Sequence, residues 1–321
     1  MGKDVIFADE WQLSSDTHTD ILLEEAKSIA AEGAGITGGD PLHVWNRTYQ
    51  YIQLLKNEFG ESFHIHLYTS GLVNPDKIPK LGKAGLDEIR FHPPPSQWNN
   101  LQKSIVDKSI TKAQETSLDI AIEIPAIPTM EDEIKQLINY ANSKNIRWIN
   151  LNELEFSEQN AQALLQHGYH VKNELSAAVL GSEETAMRIL HEMKSKNLNI
   201  GLHYCSVSFK DGIQLRNRII RRANHTAKPY QEITLDGTLL FGVIENTNDK
   251  LLKLNLELHT THGIPKDMFF LNQEFNRIEI AGWILEDITP ILKKQSYRCF
   301  IIEEYPTADH LEIERIPLPM N

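Results

Sequence analysis

The sequence predicts an α/β protein: a parallel sheet built from βα units, followed by a smaller α+β segment. Three observations carry this expectation. Short apolar runs alternate with amphipathic stretches of helical period, at intervals of roughly 30 residues that suit a barrel or open barrel. Within the runs, apolar and polar residues alternate with period two. From about Asn224 the texture changes to closely spaced strand-like runs with little helix between them.

In chain order, the expected strands of the first part are Ala34–Thr37, Phe63–Thr69, Glu88–His92, Asp119–Pro125, Trp148–Glu153 and Ile200–Val207. Helical patterns fill the gaps at Leu42–Glu58, Asn99–Thr116, Met130–Ser143, Glu158–His167 and Glu183–Lys196. A helix over Asp20–Glu32 precedes the first strand, and Tyr169–Asn173 reads as an extra short segment. After the basic helix Ile213–Arg222, the runs Ile233–Glu245, Arg277–Ile284, Tyr297–Glu304 and His310–Pro317 read as strands, with one helix near Thr289–Lys294. The expected division is therefore a barrel-type domain over residues 1–223 and an α+β accessory domain over 224–321.

Two faces emerge from the alternation. Phe63, Ile65 and Leu67 oppose His64, His66 and Tyr68; Ile89 and Phe91 oppose Arg90 and His92. Ile120, Ile122 and Ile124 oppose Glu123; Ile149 and Leu151 oppose Asn150 and Asn152; Leu202 and Tyr204 oppose His203 and Cys205. Barrel interiors are ordinarily packed with bulky apolar side chains. A polar interior face on five strands implies a wet, ligand-filled cavity, because an unpartnered buried polar group costs about 1–3 kcal/mol. His66, Arg90, Glu123, Asn152 and His203 are expected to line it.

Gly38-Gly39-Asp40-Pro41-Leu42 follows the first strand. The glycines allow backbone to approach a ligand closely. Asp40 suits a helix N-cap and Pro41 the first helical position. Gly33, Gly35 and Gly38 also spell G-x-G-x-x-G. A dinucleotide fingerprint must follow a strand and open a helix, whereas here the first glycine precedes the strand.

Composition narrows the function classes. The net charge of −12 argues against a broad nucleic-acid footprint. No apolar run approaches the ~20 residues of a membrane span. Two cysteines, Cys205 and Cys299, supply no disulfide framework and no multi-thiolate metal site, and no other metal-ligand set is legible. With Asp4, Asp9 and Glu10 interrupting any signal-peptide pattern, the expected compartment is the cytoplasm.

The glycine turn, together with Tyr68-Thr69-Ser70-Gly71, Arg90-Phe91-His92-Pro93, Glu123-Ile124-Pro125-Ala126-Ile127-Pro128, Asn150-Leu151-Asn152-Glu153-Leu154 and His203-Tyr204-Cys205-Ser206, resembles radical S-adenosylmethionine (SAM) proteins. The nearest likeness is to an archaeal-type group similar to pyruvate formate-lyase activating enzyme. The resemblance implies a partial (β/α) barrel with SAM at the C-terminal strand ends. Gly38, Gly39 and Asp40 would meet the methionine amino group, and Thr69 and Ser70 the ribose or methionyl part. Glu123 and Asn152 would contact SAM or substrate. It also implies a 4Fe–4S cluster that cleaves SAM to a 5′-deoxyadenosyl radical, an electron donor such as ferredoxin or flavodoxin, and a small-molecule or protein substrate.

The family's CxxxCxxC loop is absent, since no cysteine precedes Gly35. Gly2-Lys3-Asp4-Val5 reads as sequence that follows such a loop. The expectation is that the reading frame extends upstream of Met1, supplying the loop and a first strand, and that these 321 residues alone do not cleave SAM. The alternatives are a cluster-free SAM- or nucleotide-binding module, or a conventional phosphate-binding barrel enzyme with His66, His92 or Glu123 as acid/base groups. Catalytic candidates are His66, His92, Glu123, His203 and Cys205. Two further features read as ordinary surface: His259-x-x-His262 as a loop rather than a metal site, and Arg216, Arg218, Arg221 and Arg222 as a solvated helix face, the alternative for the arginines being an anionic substrate or an RNA phosphate.

Overall fold

The computed structural model describes residues 6–8, 11–13, 19–196 and 198–319. Contacts divide the chain into two compact units. Ala31–Ile213 makes the body of the first, and Gln214–Asn321 with the N-terminal stretches Phe7–Leu13 and His18–Ala30 makes the second. The contact boundary thus precedes Asn224, and the arginine-rich helix belongs to the second unit. No helix among the described residues is long and apolar enough to cross a membrane.

The first unit holds six parallel strands: β1 (Gly33–Ile36), β2 (His64–Thr69), β3 (Glu88–Phe91), β4 (Asp119–Ala126), β5 (Trp148–Glu153) and β6 (Gly201–Cys205). They lie in the order β6-β5-β4-β3-β2-β1. The expected parallel sheet of βα units is present, six strands with β1 and β6 at its edges among the described strands. Between the strands run α1 (Trp45–Phe59), α2 (Ile78–Lys83), α3 (Ile105–Gln114), α4 (Glu131–Ser143) and α5 (Ser182–Lys194). Their inward-facing residues Ile52, Leu81, Ile110, Leu137 and Ile189 are fully buried, as are Ile65, Leu67, Ile89, Ile122, Ile149 and Leu151 of the strands. Burying each such side chain contributes about 1.5–3 kcal/mol, which fixes the register that turns the polar residues the other way. Ser104 caps α3 by accepting from the Asp107 amide at 3.1 Å. The segment near Tyr169 is one arm of a small hairpin, Val171–Asn173 with Ser176–Val179.

The helix before β1 spans Thr19–Ser28, so Gly33 opens the strand rather than closing the helix. The first two glycines of the G-x-G-x-x-G pattern therefore lie within β1, and their smallness serves strand packing. A Cβ on Gly33 would sit 2.3 Å from the His64 carbonyl oxygen, and one on Gly35 would sit 2.7 Å from His66 Nε2.

The second unit contains α6 (Arg216–Thr226), β7 (Leu239–Glu245), α7 (Asn248–Thr260), β8 (Phe269–Asn272), β9 (Arg277–Ile280), α8 (Gly282–Lys294), β10 (Arg298–Glu304) and β11 (Glu312–Pro317). The sheet is antiparallel in the order β8-β9-β7-β10-β11, and Glu232–Ile233 pairs with β7. The structure corrects the sequence reading at three places. Ile233–Glu245 is not one strand but a turn through Gly237, at φ +85°, into β7. Arg277–Ile284 stops at Ile280, and α8 begins at Gly282 instead of near Thr289. Helix α7 was unforeseen: Lys253-Leu254-Asn255-Leu256-Glu257-Leu258 alternates like a strand, but Leu251, Leu254 and Leu258 form a buried helical stripe.

Candidate functional site

Two turns meet at the C-terminal ends of β1 and β2. The Asp40 carboxylate joins them. Its Oδ1 accepts from the Leu42 amide at 3.1 Å and from Thr69 Oγ1 at 2.8 Å. Its Oδ2 accepts from the Ser70 amide at 2.9 Å and from Ser70 Oγ. Four donors thus occupy the carboxylate that the resemblance assigned to a ligand, and Asp40 acts here as a clamp. Asp40 caps a turn at Pro41–Val44 ahead of α1, and the turn is held from outside as well. Thr48 Oγ1 donates to the Pro41 carbonyl at 2.9 Å, and Asn74 Nδ2 to that of Leu42 at 2.8 Å. Gly38, at φ +114°, needs to be glycine, and nothing lies within 4 Å of where a side chain on Gly38 or Gly39 would sit. Both glycines are exposed. The clamp leaves two backbone positions fixed and facing open space, as a ligand cradle requires.

The polar sides of β2 to β5 form one hydrogen-bonded chain. Arg90 grips Glu88 with Nε–Oε1 at 2.9 Å and Nη2–Oε2 at 3.1 Å. Its Nη1 donates to Tyr68 Oη at 2.9 Å and to Glu123 Oε2 at 3.4 Å. Glu123 in turn accepts from Asn152 Nδ2 at 2.9 Å and Asn150 Nδ2 at 3.3 Å. The register explains the assembly: Tyr68 pairs with Arg90, and Glu123 with Asn150. Side chains of Arg90 and Glu123 keep 23% and 15% of their exposure, so the network is reachable by a ligand.

Electrostatics follow from half-burial. Burial pushes His66 down to about 4, with the nearby Arg90 charge adding to the effect, so its imidazole is neutral at physiological pH. For Glu88, burial acts upward, but hydrogen bonds and charge from Arg90 outweigh it and hold the carboxyl below its usual range. Tyr68 is raised by burial and then by the Glu123 charge. Burial likewise raises the Cys205 thiol, which keeps it protonated and poorly nucleophilic.

Of the residues singled out in the sequence, Arg90, Glu123 and Asn152 join in that network. His66 shares their face and lines a cavity of about 750 Å³ beside β1, together with His64 and Gly35. His92 is exposed just past the end of β3, and His203 is exposed in the middle of β6, in register with Asn150. Cys205 is half-buried on β6, and Cys299 is buried in the core of the second unit. The residues present do not fit a 4Fe–4S cluster, which needs several cysteine thiolates around one centre. His259 is no loop residue. It lies in the last turn of α7 and its Nδ1 contacts the Ile264 carbonyl at 3.0 Å. Nor is the arginine run all solvated: Arg222 is buried and holds Glu25 through two bonds of 2.6 and 3.0 Å. One grouping escaped the sequence reading altogether. His64, His66 and Glu88 present ligand-type atoms that all lie within 4.8 Å of one another. The signal available was the His-x-His spacing; the third member appears only once β3 is paired.

Comparison with known proteins adds three findings. A family described as a domain of unknown function (DUF8061) matches residues 237–318, within the second unit. A protein of Methanocaldococcus jannaschii named "Putative glycyl-radical enzyme activating enzyme" is 40% identical over 325 residues, covering 99% of this chain and 83% of that protein. A solved radical SAM methyltransferase from Sphaerobacter thermophilus matches with a TM-score of 0.41 at 14% identity, over 61% of this chain. This chain spans 59% of that structure's length.

Proposed function

We propose a SAM-binding function for this chain, which belongs to the radical SAM family of glycyl-radical enzyme activating proteins. The observation that carries the proposal is the clamped double turn. Asp40 ties the Gly38–Gly39 turn to Thr69–Ser70 and leaves both glycines facing open space. In this reading the backbone at Gly38 and Gly39 receives the methionyl end of SAM, and the Ser70 side of the turn lies along it. Asp40 positions both turns. The Arg90–Glu123–Asn152 chain supplies the next polar contacts, for SAM or for substrate. SAM brings a sulfonium whose carbon–sulfur bond is the one that the family cleaves.

The relative's name, a glycyl-radical enzyme activating enzyme, supports a polypeptide substrate, and the family resemblance implies an electron donor of the ferredoxin or flavodoxin type. The half-exposed polar face offers hydrogen bonds to a peptide backbone. These 321 residues hold two cysteines, far short of a cluster's ligand set within one unit. That favours a second reading, a cluster-free SAM- or nucleotide-binding module.

Calorimetry of SAM against the chain tests the common part of both readings. Binding is expected, with Gly39→Val abolishing it while the circular dichroism and melting curve stay close to those of the parent. Unchanged affinity in Gly39→Val would move the site away from the turn. Anaerobic treatment with iron and sulfide separates the two readings. No 5′-deoxyadenosine above background is expected from these residues, and robust production would restore cluster chemistry to them.

A further inference from the structure

We propose that His64, His66 and Glu88 bind one divalent transition-metal ion of the Zn²⁺ type, with the remaining coordination position open to the cavity beside β1. His64 and His66 are two residues apart on β2, so their rings leave the same face. Pairing places Glu88, the first residue of β3, directly beside His66. His64 Nε2 and Glu88 Oε2 are 3.3 Å apart. Zinc–ligand bonds of about 2.0–2.2 Å put two tetrahedral ligands about 3.4 Å apart, so this pair already has the spacing of co-ligands. The ligand-type atoms of the whole trio lie within 4.8 Å of one another.

Three features fit a binding site better than an ion pair alone. The His64–Glu88 contact explains those two residues but leaves His66 without a hydrogen bond to its ring among the described residues. Room for that ring exists because Gly35 lacks a side chain, since a Cβ there would stand 2.7 Å from His66 Nε2. The cavity of about 750 Å³ that His64 and His66 line gives the ion an entry path and gives water or a small anion the open position. Three protein ligands with one open position is the arrangement of reactive rather than purely structural zinc sites.

The donor set selects the metal class. Two imidazoles and one carboxylate suit Zn²⁺, Co²⁺ or Ni²⁺, whereas Mg²⁺ and Ca²⁺ favour all-oxygen shells. Arg90 holds both Glu88 oxygens, including the Oε2 that faces His64, and would act as an outer-shell support. Its positive charge repels the ion and moderates affinity. The site is separate from the glycine turn. Its two histidines lie in the first half of β2, and Thr69 at the far end is three to five residues from them, about 10–16 Å along an extended strand.

The test uses the whole chain in a non-chelating buffer. Titration with Co²⁺ should give visible absorption of the tetrahedral type at one equivalent, displaced by Zn²⁺, and Zn²⁺ should raise the melting temperature with concentration. His66→Ala and Glu88→Gln should each weaken Zn²⁺ binding by at least the ~100-fold that loss of an outer-shell partner can cause. His191→Ala, on α5, should leave it unchanged. Absence of a one-equivalent Co²⁺ spectrum from the folded parent chain would overturn the proposal. So would a Zn²⁺ affinity that survives His66→Ala intact. The Co²⁺ spectrum of the parent decides the matter even if a variant folds poorly.

Discussion

The two units treat charge in opposite ways. In the second, Arg277, Glu279 and Glu304 are each at most 5% exposed, and their polar atoms are matched. Arg277 contacts both carboxylates, Glu279 also accepts from Tyr230 Oη at 2.7 Å and Asn272 Nδ2 at 3.0 Å, and Glu304 contacts His310 Nδ1 at 3.1 Å. In the first unit, the side chains of the Glu88–Arg90–Glu123 chain keep 14%, 23% and 15% of their exposure, beside an imidazole with no hydrogen bond to its ring among the described residues and two glycines against open space. A closed network in which every donor has its acceptor has no valence left for a ligand. An open one of similar composition does. The same residue types therefore carry different meanings, and the distinction is made by burial and partner count.

Breaking the closed network should have the largest effect. Arg277→Met would strand Glu279 and Glu304 in the core of the second unit. Removing one partner of a buried ion pair costs about 3–5 kcal/mol. Denaturant melts followed by fluorescence should show a transition destabilised by that order. A loss under 1 kcal/mol would mean that water reaches the network and that the contrast between the units is weaker than their burial implies.

The clamp comes next. Asp40→Ala leaves the Ser70 amide and Thr69 hydroxyl without their acceptor. Loss of hydrogen bonds to a charged group costs about 1.5–3 kcal/mol. Stability should fall by that order, and SAM affinity should fall with it, because the two turns are no longer tied. If Asp40→Ala binds SAM as the parent does, the clamp does not organise the cradle. Asp40→Asn, which keeps the acceptor of one oxygen, should recover part of both.

A smaller response is expected in the open network. Arg90→Met removes an ion-paired guanidinium that keeps 23% of its exposure, so solvent screens much of the interaction. Partly exposed pairs contribute about 1 kcal/mol or less. Equilibrium melts of Arg90→Met and Arg277→Met, run side by side, turn the comparison into one number. Equal losses would erase the distinction between open and closed.

Legibility in the sequence followed the same line. Five of the six strands of the first unit could be read because apolar and polar residues alternate along them with period two, and β1 could be read as a short run ahead of the glycine turn. The glycine turn could be read because Gly38 needs a positive φ, but Asp40 caps only the turn after it, since α1 starts at Trp45 with Val44 as its N-cap. What stayed hidden depended on pairing over distance. The partner of Arg222 is Glu25, 197 positions away, so the arginine run looked solvated. Glu88 joined His64 and His66 only through the β2–β3 register. Helix α7 was obscured because its exposed Leu252 and Leu256 fill the positions that turn a helical stripe into an alternation. The bonds by which Asp40 ties Thr69 and Ser70 to its own turn also span 29 and 30 positions, and no local pattern marks them.

The smallest effect is a pH dependence confined to the closed network. His310 sits against buried Glu304, and the hydrogen bond between them raises the histidine above its usual value, with the Glu304 charge adding to the shift. A group whose folded pKa exceeds its unfolded one stabilises the fold in its protonated form. That stability is fully present below the unfolded value near 6.5 and is lost as pH rises through the raised folded value. The other charges facing the pair are Arg277, which opposes protonation, and Glu279, which favours it. Because the His310 side chain is half-exposed, the loss should amount to a few tenths of a kcal/mol, the order of a screened pair. Melting curves of the parent and of His310→Gln across pH 6 to 9 should converge at the alkaline end and separate at the acid end. A separation that grows toward alkaline pH would reverse the sign. It would place the titrating group among the carboxylates instead, and Glu304 would then be less completely enclosed than its 1% exposure implies.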